Sequence, residues 1–208
     1  MTNNKIKKLF KGIIDEEYIK KLQYDDVSLY SITDHKISEK IAKILIKLSY
    51  INNLSTITDM TACIGGDTIN FSKYFRNIIS IEIDKNRYKM LYNNVNIILK
   101  LDNIKTYCGD SLKIIKETKQ DIIYLDPPWG GPTYKKKENV SLFMNETNIK
   151  YLINTLLNYA IYVAIKVPNN YNIIELEEYL NKINRYITIE EYELIKFKLL
   201  LIYIKFNG

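Results

Sequence analysis

Cysteine and histidine are scarce in this chain: Cys63 and Cys108 stand far apart, and His35 is the sole histidine. Such spacing indicates neither a disulfide framework nor a zinc site, so no metal is expected and an intracellular, reducing setting is the default. No apolar run approaches the roughly 20 residues of a membrane-spanning helix. The opening "MTNNKIKKLF" lacks the long apolar core of a signal peptide. The expectation is a monomer of the nucleus or cytoplasm, in an ordinary or a virus-infected cell, with no membrane partner. Proline is rare as well, and tryptophan occurs once. Yet three of the four prolines and that tryptophan share nine residues, "DPPWGGPTY" at 126–134.

With 208 residues, 47% of them hydrophobic and 26% charged and interspersed throughout, the chain suits one globular domain with a full core. Its net charge of +6 suits a polyanionic partner, concentrated in "KIKKLFK" at 5–11 and in Lys135, Lys136 and Lys137. However, lysine, asparagine, isoleucine and tyrosine dominate while arginine is scarce, which is what an AT-rich coding sequence produces whatever the function. Charge alone does not choose nucleic acid.

Helical and strand patterns alternate along the chain. Apolar residues Ile37, Ile41, Ile44, Leu45 and Leu48 follow helical spacing over 36–49, with Thr33 or Asp34 placed to cap the start. A strand is predicted at 56–60, then a Gly65-Gly66 turn opening a helix through about residue 74. Strands at 78–83 and 104–107 flank a helix at 87–99, and a short helix from Ser111 leads to a strand at 122–125. After the prolines and a polar loop come a helix at 149–159, a strand at 160–167 ending at Pro168, and a helix at 173–183. The runs "YITIEEYEL" and "KLLLIYIKF" read as a closing antiparallel hairpin. This alternation predicts an α/β fold, a mostly parallel sheet with helices on both faces.

Three acids end three successive strands. Asp59 begins "DMTACIGG", a glycine turn at a helix start where the backbone of Thr61, Ala62 and Gly65 can approach a ligand closely. The spacing is not GxGxxG, so a dinucleotide is disfavoured. Glu82 lies about twenty residues on, where an acid hydrogen-bonds ribose hydroxyls. Asp110, in "YCGDS", can accept from an exocyclic amine such as that of adenine. Singly, each acid is more often a cap or a solvated residue. Together they describe a site for S-adenosylmethionine.

The fourth strand delivers "DPPW". Two prolines in series cannot donate to a ladder, so the strand ends there and the turn displays an acid, carbonyls and an indole. A carboxylate, two prolines and an aromatic form the pattern of enzymes that methylate an exocyclic nitrogen of a planar base. That amine is a poor nucleophile because its lone pair is delocalised into the ring. Asp126 and the Pro127 carbonyl can accept its N–H bonds and orient it, and Trp129 can hold the base by stacking. The competing possibility is a structural turn with a buried indole.

"DPPWGGPTY" resembles the signature of the trimethylguanosine synthase family, the cap guanine-N2 methyltransferases. The Trp-Gly-Gly-Pro run is more specific than DPPW alone. "YDDVSLYSITDHKISEKIA", "DMTACIGGDTINFS", "VPNNYNIIEL" and "ITIEEYELIKFKLLLIYIKF" resemble other family segments, so the likeness runs from about Gln23 to the carboxyl end. It implies a Rossmann-like class I methyltransferase core at 36–208, with a seven-stranded sheet, and a small amino-terminal helical lobe at 1–35 that contributes to cofactor and cap binding. S-adenosylmethionine is the implied cofactor and RNA with a 7-methylguanosine cap the implied substrate. Asp59 and Glu82 would hold the cofactor's methionine and ribose parts and Asp110 its adenine, with Thr33 beside it. Trp129 would stack on the base, with Tyr24 or Tyr30 as a second aromatic.

The chain departs from the family at several positions. Asp126 stands where serine is frequent, Asp34 replaces a usual proline, and Asn169 stands where a basic residue commonly meets the cap phosphates. Lys166, Lys135 or the amino-terminal lysines are then the phosphate candidates. His35, beside Thr33, reads as an exposed first-turn residue rather than a catalyst. Two alternatives stay open: an internal guanine-N2 or adenine-N6 methyltransferase of RNA or DNA, and a catalytically silent cap-binding subunit.

Overall fold

Residues 4–184 and 186–205 are described by a computed structural model. The end of the closing hairpin run, Phe206, lies outside them. Two compact units divide the chain between Gln120 and Asp121.

The first unit opens with α1 (Asn4–Phe10), α2 (Glu16–Ile19) and α3 (Asp26–Ser31), which bury Ile6, Phe10, Ile19 and Leu29. A reciprocal capping box starts α3: the Asp25 carboxylate accepts from the Ser28 N–H at 2.7 Å, and the Ser28 hydroxyl accepts from the Asp25 N–H at 2.9 Å. Asp34, not Thr33, caps α4 (His35–Leu45) by accepting from the Lys36 N–H at 3.0 Å. The helix stops four residues short of the expected end at 49, because Lys47 and Leu48 donate to the carbonyls three residues back. Tyr50, at φ 64°, then turns the chain away.

Next come β1 (Thr56–Asp59), α5 (Gly66–Phe71), β2 (Asn77–Glu82), α6 (Lys85–Tyr92), β3 (Ile104–Cys108) and α7 (Ser111–Ile114). β2 pairs in parallel with both β1 and β3 in this unit. The single helix expected at 87–99 is two pieces. Asp84 caps α6 early, and residues Asn93–Ile98 widen into a π-helix. Within that wider turn the fully buried Asn94 donates its amide to the Gln23 carbonyl at 2.9 Å and the Ile64 carbonyl at 3.1 Å, and accepts from the Gln23 N–H at 2.8 Å.

The second unit contains β4 (Ile122–Leu125), β5 (Phe143–Met144), β6 (Thr147–Asn148), α8 (Ile149–Leu156), β7 (Tyr162–Pro168), α9 (Ile173–Ile183), β8 (Ile187–Leu194) and β9 (Phe197–Ile204). β4 is completely buried and pairs in parallel with β7, while β9 lies antiparallel between β7 and β8. The expected polar loop before α8 contains the small β5–β6 hairpin, turning through Asn145 and Glu146 at φ 45° and 67°.

The seven strands run in the order β3-β2-β1-β4-β7-β9-β8. This is the mostly parallel sheet that the alternation predicts, with the closing antiparallel hairpin expected from the two β-rich runs. Among the described residues, no helix is long and apolar enough to cross a membrane.

Candidate active site

In the first unit the acids are held by their own strand ends. Asp59, 1% exposed, accepts from the Thr61 N–H at 3.2 Å and from the Thr68 hydroxyl at 2.8 Å. The Thr68 proton is thus committed, so the Ser80 hydroxyl, 2.9 Å away, donates to Thr68. This chain ties the end of β1 to α5 and β2. Glu82, also buried, accepts from the Cys63 N–H at 2.9 Å through one oxygen and from the Asp84 N–H at 2.8 Å through the other. Backbone donors on both oxygens fix the carboxylate's orientation. Arg87 stands 3.8 Å from it.

The loop between Asp59 and α5 is sterically demanding. Cys63 and Gly65 both take left-handed backbone, at φ 51° and 102°. A Cβ on Gly65 would stand 3.1 Å from a Leu91 methyl and 3.2 Å from a Val95 methyl, so a side chain there would press on both in addition to straining the left-handed backbone. The Ala62 N–H donates to the Ile81 carbonyl at 3.0 Å, which holds the loop against β2. Burial, with the Glu82 charge second, pushes the Cys63 thiol up to about 12, which favours the protonated form over the thiolate.

Asp110 caps α7, accepting from the Leu112 N–H at 3.0 Å, and its neighbour Gly109 donates to the Glu82 carbonyl at 3.0 Å. Thr33, buried, donates to Asp67 at 2.8 Å and so anchors the segment before α4 to α5. Asp59, Thr61, Ala62, Gly65, Glu82, Asp110 and Thr33 are thereby joined through short bonded links. The set suits S-adenosylmethionine chemically: carboxylate acceptors match its hydroxyls and amines, and their negative charge matches a cationic donor. Tyr24 is half-buried. Tyr30 is 77% exposed, with the Lys5 ammonium 4.7 Å from its ring centre.

The second unit gathers the residues around the proline turn. The register that sets Leu125 of β4 opposite Ile165 of β7 carries Asp126 to Lys166, one residue beyond. Their side chains form an ion pair, with Lys166 only 4% exposed. The Lys166 ammonium lies 5.4 Å from the Trp129 ring centre and 4.9 Å from that of Phe197. Trp129 meets Tyr134 and Phe197 edge-on, with centroids 5.2 and 5.9 Å apart. Its indole N–H is buried with no hydrogen-bond partner among the described residues. Asn170 donates to the carbonyls of Tyr134 at 2.9 Å and Lys137 at 2.8 Å, pinning the 3₁₀ turn Pro132–Lys136. Asn169 and Lys135 are exposed.

Thr68, Ser80, Asn94, Tyr134, Asn170 and Phe197 escaped the sequence reading. Lys166 carried one legible signal toward Asp126: a lone cation inside the apolar run "YVAIKVP" requires a buried partner.

This strand order, with a glycine turn after β1 and acids closing three parallel strands, defines a class I S-adenosylmethionine-dependent methyltransferase. The fold is shared by the S-adenosylmethionine-dependent methyltransferase from Agrobacterium tumefaciens, with a TM-score of 0.58 at 10% identity over 84% of this chain and 63% of that one. Precorrin-6y C5,15-methyltransferase from Geobacter metallireducens shares it too, with a TM-score of 0.58 at 11% identity over 91% of this chain and 95% of that one.

Residues 54–207 match the RNA cap guanine-N2 methyltransferase family, and the chain belongs to that family. It is 34% identical to trimethylguanosine synthase of Schizosaccharomyces pombe over 165 residues, covering 74% of this chain and 66% of the yeast enzyme. It is also 29% identical over 227 aligned positions to the uncharacterised protein L320 of Acanthamoeba polyphaga mimivirus, covering 95% of this chain and 85% of that one. The chain is an S-adenosylmethionine-dependent RNA methyltransferase.

Proposed function

We propose that the chain transfers a methyl group to the exocyclic N2 amine of 7-methylguanosine in an RNA 5′ cap. The observation that carries this reading is the Trp129 indole, braced edge-on by Tyr134 and Phe197 directly after the Asp126-Pro127-Pro128 turn. A 7-methylated guanine is a delocalised cation, which a π face attracts. Its amine needs acceptors to orient it and restore lone-pair density, and Asp126 and the Pro127 carbonyl are those acceptors. S-adenosylmethionine would supply the electrophilic methyl, its sulfonium leaving as the neutral thioether of S-adenosylhomocysteine. The proton lost from N2 would go to solvent or to Asp126.

In this reading Asp59 and Glu82 take the cofactor's methionine and ribose parts and Asp110 its adenine, with the backbone of Thr61, Ala62 and Gly65 close by and Thr33 beside it. The first 35 residues act as a helical lobe for cofactor and cap. The Thr33–Asp67 and Gln23–Asn94 bonds, which tie this segment to the cofactor loop's own supports, favour that assignment. Tyr24 or Tyr30 supplies a second aromatic. Lys135, Asn169 and the amino-terminal lysines meet the cap phosphates, whereas Lys166, buried on Asp126, belongs with the amine. The giant-virus relative supports a virus-infected cell as one setting.

The test is methyl transfer from labelled S-adenosylmethionine to a 7-methylguanosine cap dinucleotide, beside its unmethylated form, GTP, tRNA and DNA. Incorporation at N2 of the methylated cap alone is expected. Preference for tRNA or DNA promotes the internal-base reading, and no transfer to any acceptor promotes the silent cap-binding subunit.

A further inference from the structure

The positive charge of the chain is unevenly distributed. Residues 1–120 carry 20 basic and 14 acidic side chains, a net of +6, while residues 121–208 carry 10 of each. Acidic residues are about equally dense in the two units, so only the basic ones differ. A coding bias toward lysine acts on both halves alike and does not explain this.

Part of the excess is organised on α4. Lys36, Lys40, Lys43 and Lys47 follow steps of four, three and four, which places them on one helical face continuing into the turn after the helix. All four are exposed, and Ile41, Ala42 and Leu45 are buried on the opposite face. Glu39 offsets part of the stripe through an ion pair with Lys43 at 2.8 Å. Neighbouring like charges at these spacings weaken a helix, so the row has a cost that a scattered arrangement avoids. The start of α4 lies beside the end of the basic run 5–11, since a Cβ on Gly12 would be 3.8 Å from the His35 ring.

We propose that this lysine face is a docking surface for the single-stranded body of the RNA substrate, separate from the cap. The inference rests on RNA being the substrate and extends it. Over about 16 Å, the rise of eleven helical residues, the stripe offers point charges to successive phosphates without reading sequence. An anionic bilayer fits less well, because no large apolar side chain of α4 is exposed to enter it.

The experiment combines Lys36→Gln, Lys40→Gln, Lys43→Gln and Lys47→Gln in the full chain. Binding of a labelled, uncapped single-stranded RNA of about 20 nucleotides is followed by anisotropy across a salt series, beside methyl transfer to the cap dinucleotide. The variant should bind this RNA at least about tenfold more weakly at low salt. The slope of log affinity on log salt should shrink by about 0.7 for each phosphate that a lysine no longer neutralises. Its KM for capped RNA should rise while kcat, the dinucleotide KM and the melting temperature stay put. Unchanged RNA affinity overturns the proposal, as does a wild type that binds anionic vesicles but not RNA. An equal rise in the dinucleotide KM overturns it too, by assigning the lysines to the cap itself. A wild type inactive on the dinucleotide sinks the cap reading, while RNA binding still decides this one.

Discussion

Lys166 and Asp126 form an ion pair that leaves only 5% of the lysine side chain and 16% of the aspartate side chain exposed. The pair links the carboxylate of the DPPW turn to the ammonium that lies over Trp129 and Phe197. One interaction therefore couples the stability of the second unit to the proposed chemistry.

Removing one member of such a pair strands a buried charge. Asp126→Ser should destabilise the protein by about 3–5 kcal/mol in urea unfolding. Adding Lys166→Met should recover most of that loss, because no charge is left unpaired. The double variant should keep measurable methyl transfer through the Pro127 carbonyl, whereas Asp126→Lys should have none. Equal stability of the single and double variants would show that the pair is not coupled.

Glu82 supports the loop and, in the proposed reading, the cofactor. Glu82→Ala should weaken S-adenosylmethionine binding by about 1.5–3 kcal/mol, the range for losing hydrogen bonds to a charged group. It should also speed amide exchange at Cys63 and Asp84, which lose their acceptor. Calorimetry and exchange mass spectrometry report the two separately. Faster exchange with unchanged affinity would leave Glu82 a structural residue only.

For Trp129 the expected outcome is dependence on prior N7 methylation. A π face attracts a desolvated cation by about 2 kcal/mol, which is roughly 30-fold in affinity. Trp129→Phe should retain part of the activity and Trp129→Ala almost none, with cofactor affinity nearly constant in both. As the only tryptophan, it also reports cap binding by fluorescence quenching. An active Trp129→Ala overturns its role as a platform.

Alkaline pH should destabilise the fold. Burial pushes the Cys63 thiol up to about 12, and burial with the Glu175 charge pushes the Tyr171 hydroxyl up to about 12 as well. The folded chain then holds protons that the unfolded chain releases at about pH 8.5 for cysteine and 10 for tyrosine. Stability is fully present below that range and falls as pH rises toward 12. Urea midpoints should decline from about pH 8.5, and Cys63→Ala should flatten the first part of the decline. Iodoacetamide should modify the exposed Cys108 well before Cys63. A midpoint indifferent to pH would contradict the raised pKa values of the half-buried Cys63 and Tyr171.

What could be read from the chain alone was local in origin. Apolar periods of about two and 3.6 residues marked strands and helices, Gly65-Gly66 marked a turn opening a helix, and the prolines after Leu125 ended a strand. The acids at 59, 82, 110 and 126 followed, since each stands at the end of a strand whose sequence pattern is strong. Tertiary structure alone decided which groups these acids meet. Asn94 bonds Gln23 and Ile64, Ser80 backs Thr68 on Asp59, and Lys166 pairs with Asp126 across 40 residues. Those contacts depend on strand register and helix packing, which bring together groups that no spacing in the chain relates. For the same reason the ends of α4 and α6 were misjudged: apolar periodicity continues past them, while the hydrogen bonds that stop α4 at Leu45 and widen the helix at Asn93 follow from packing against the rest of the unit.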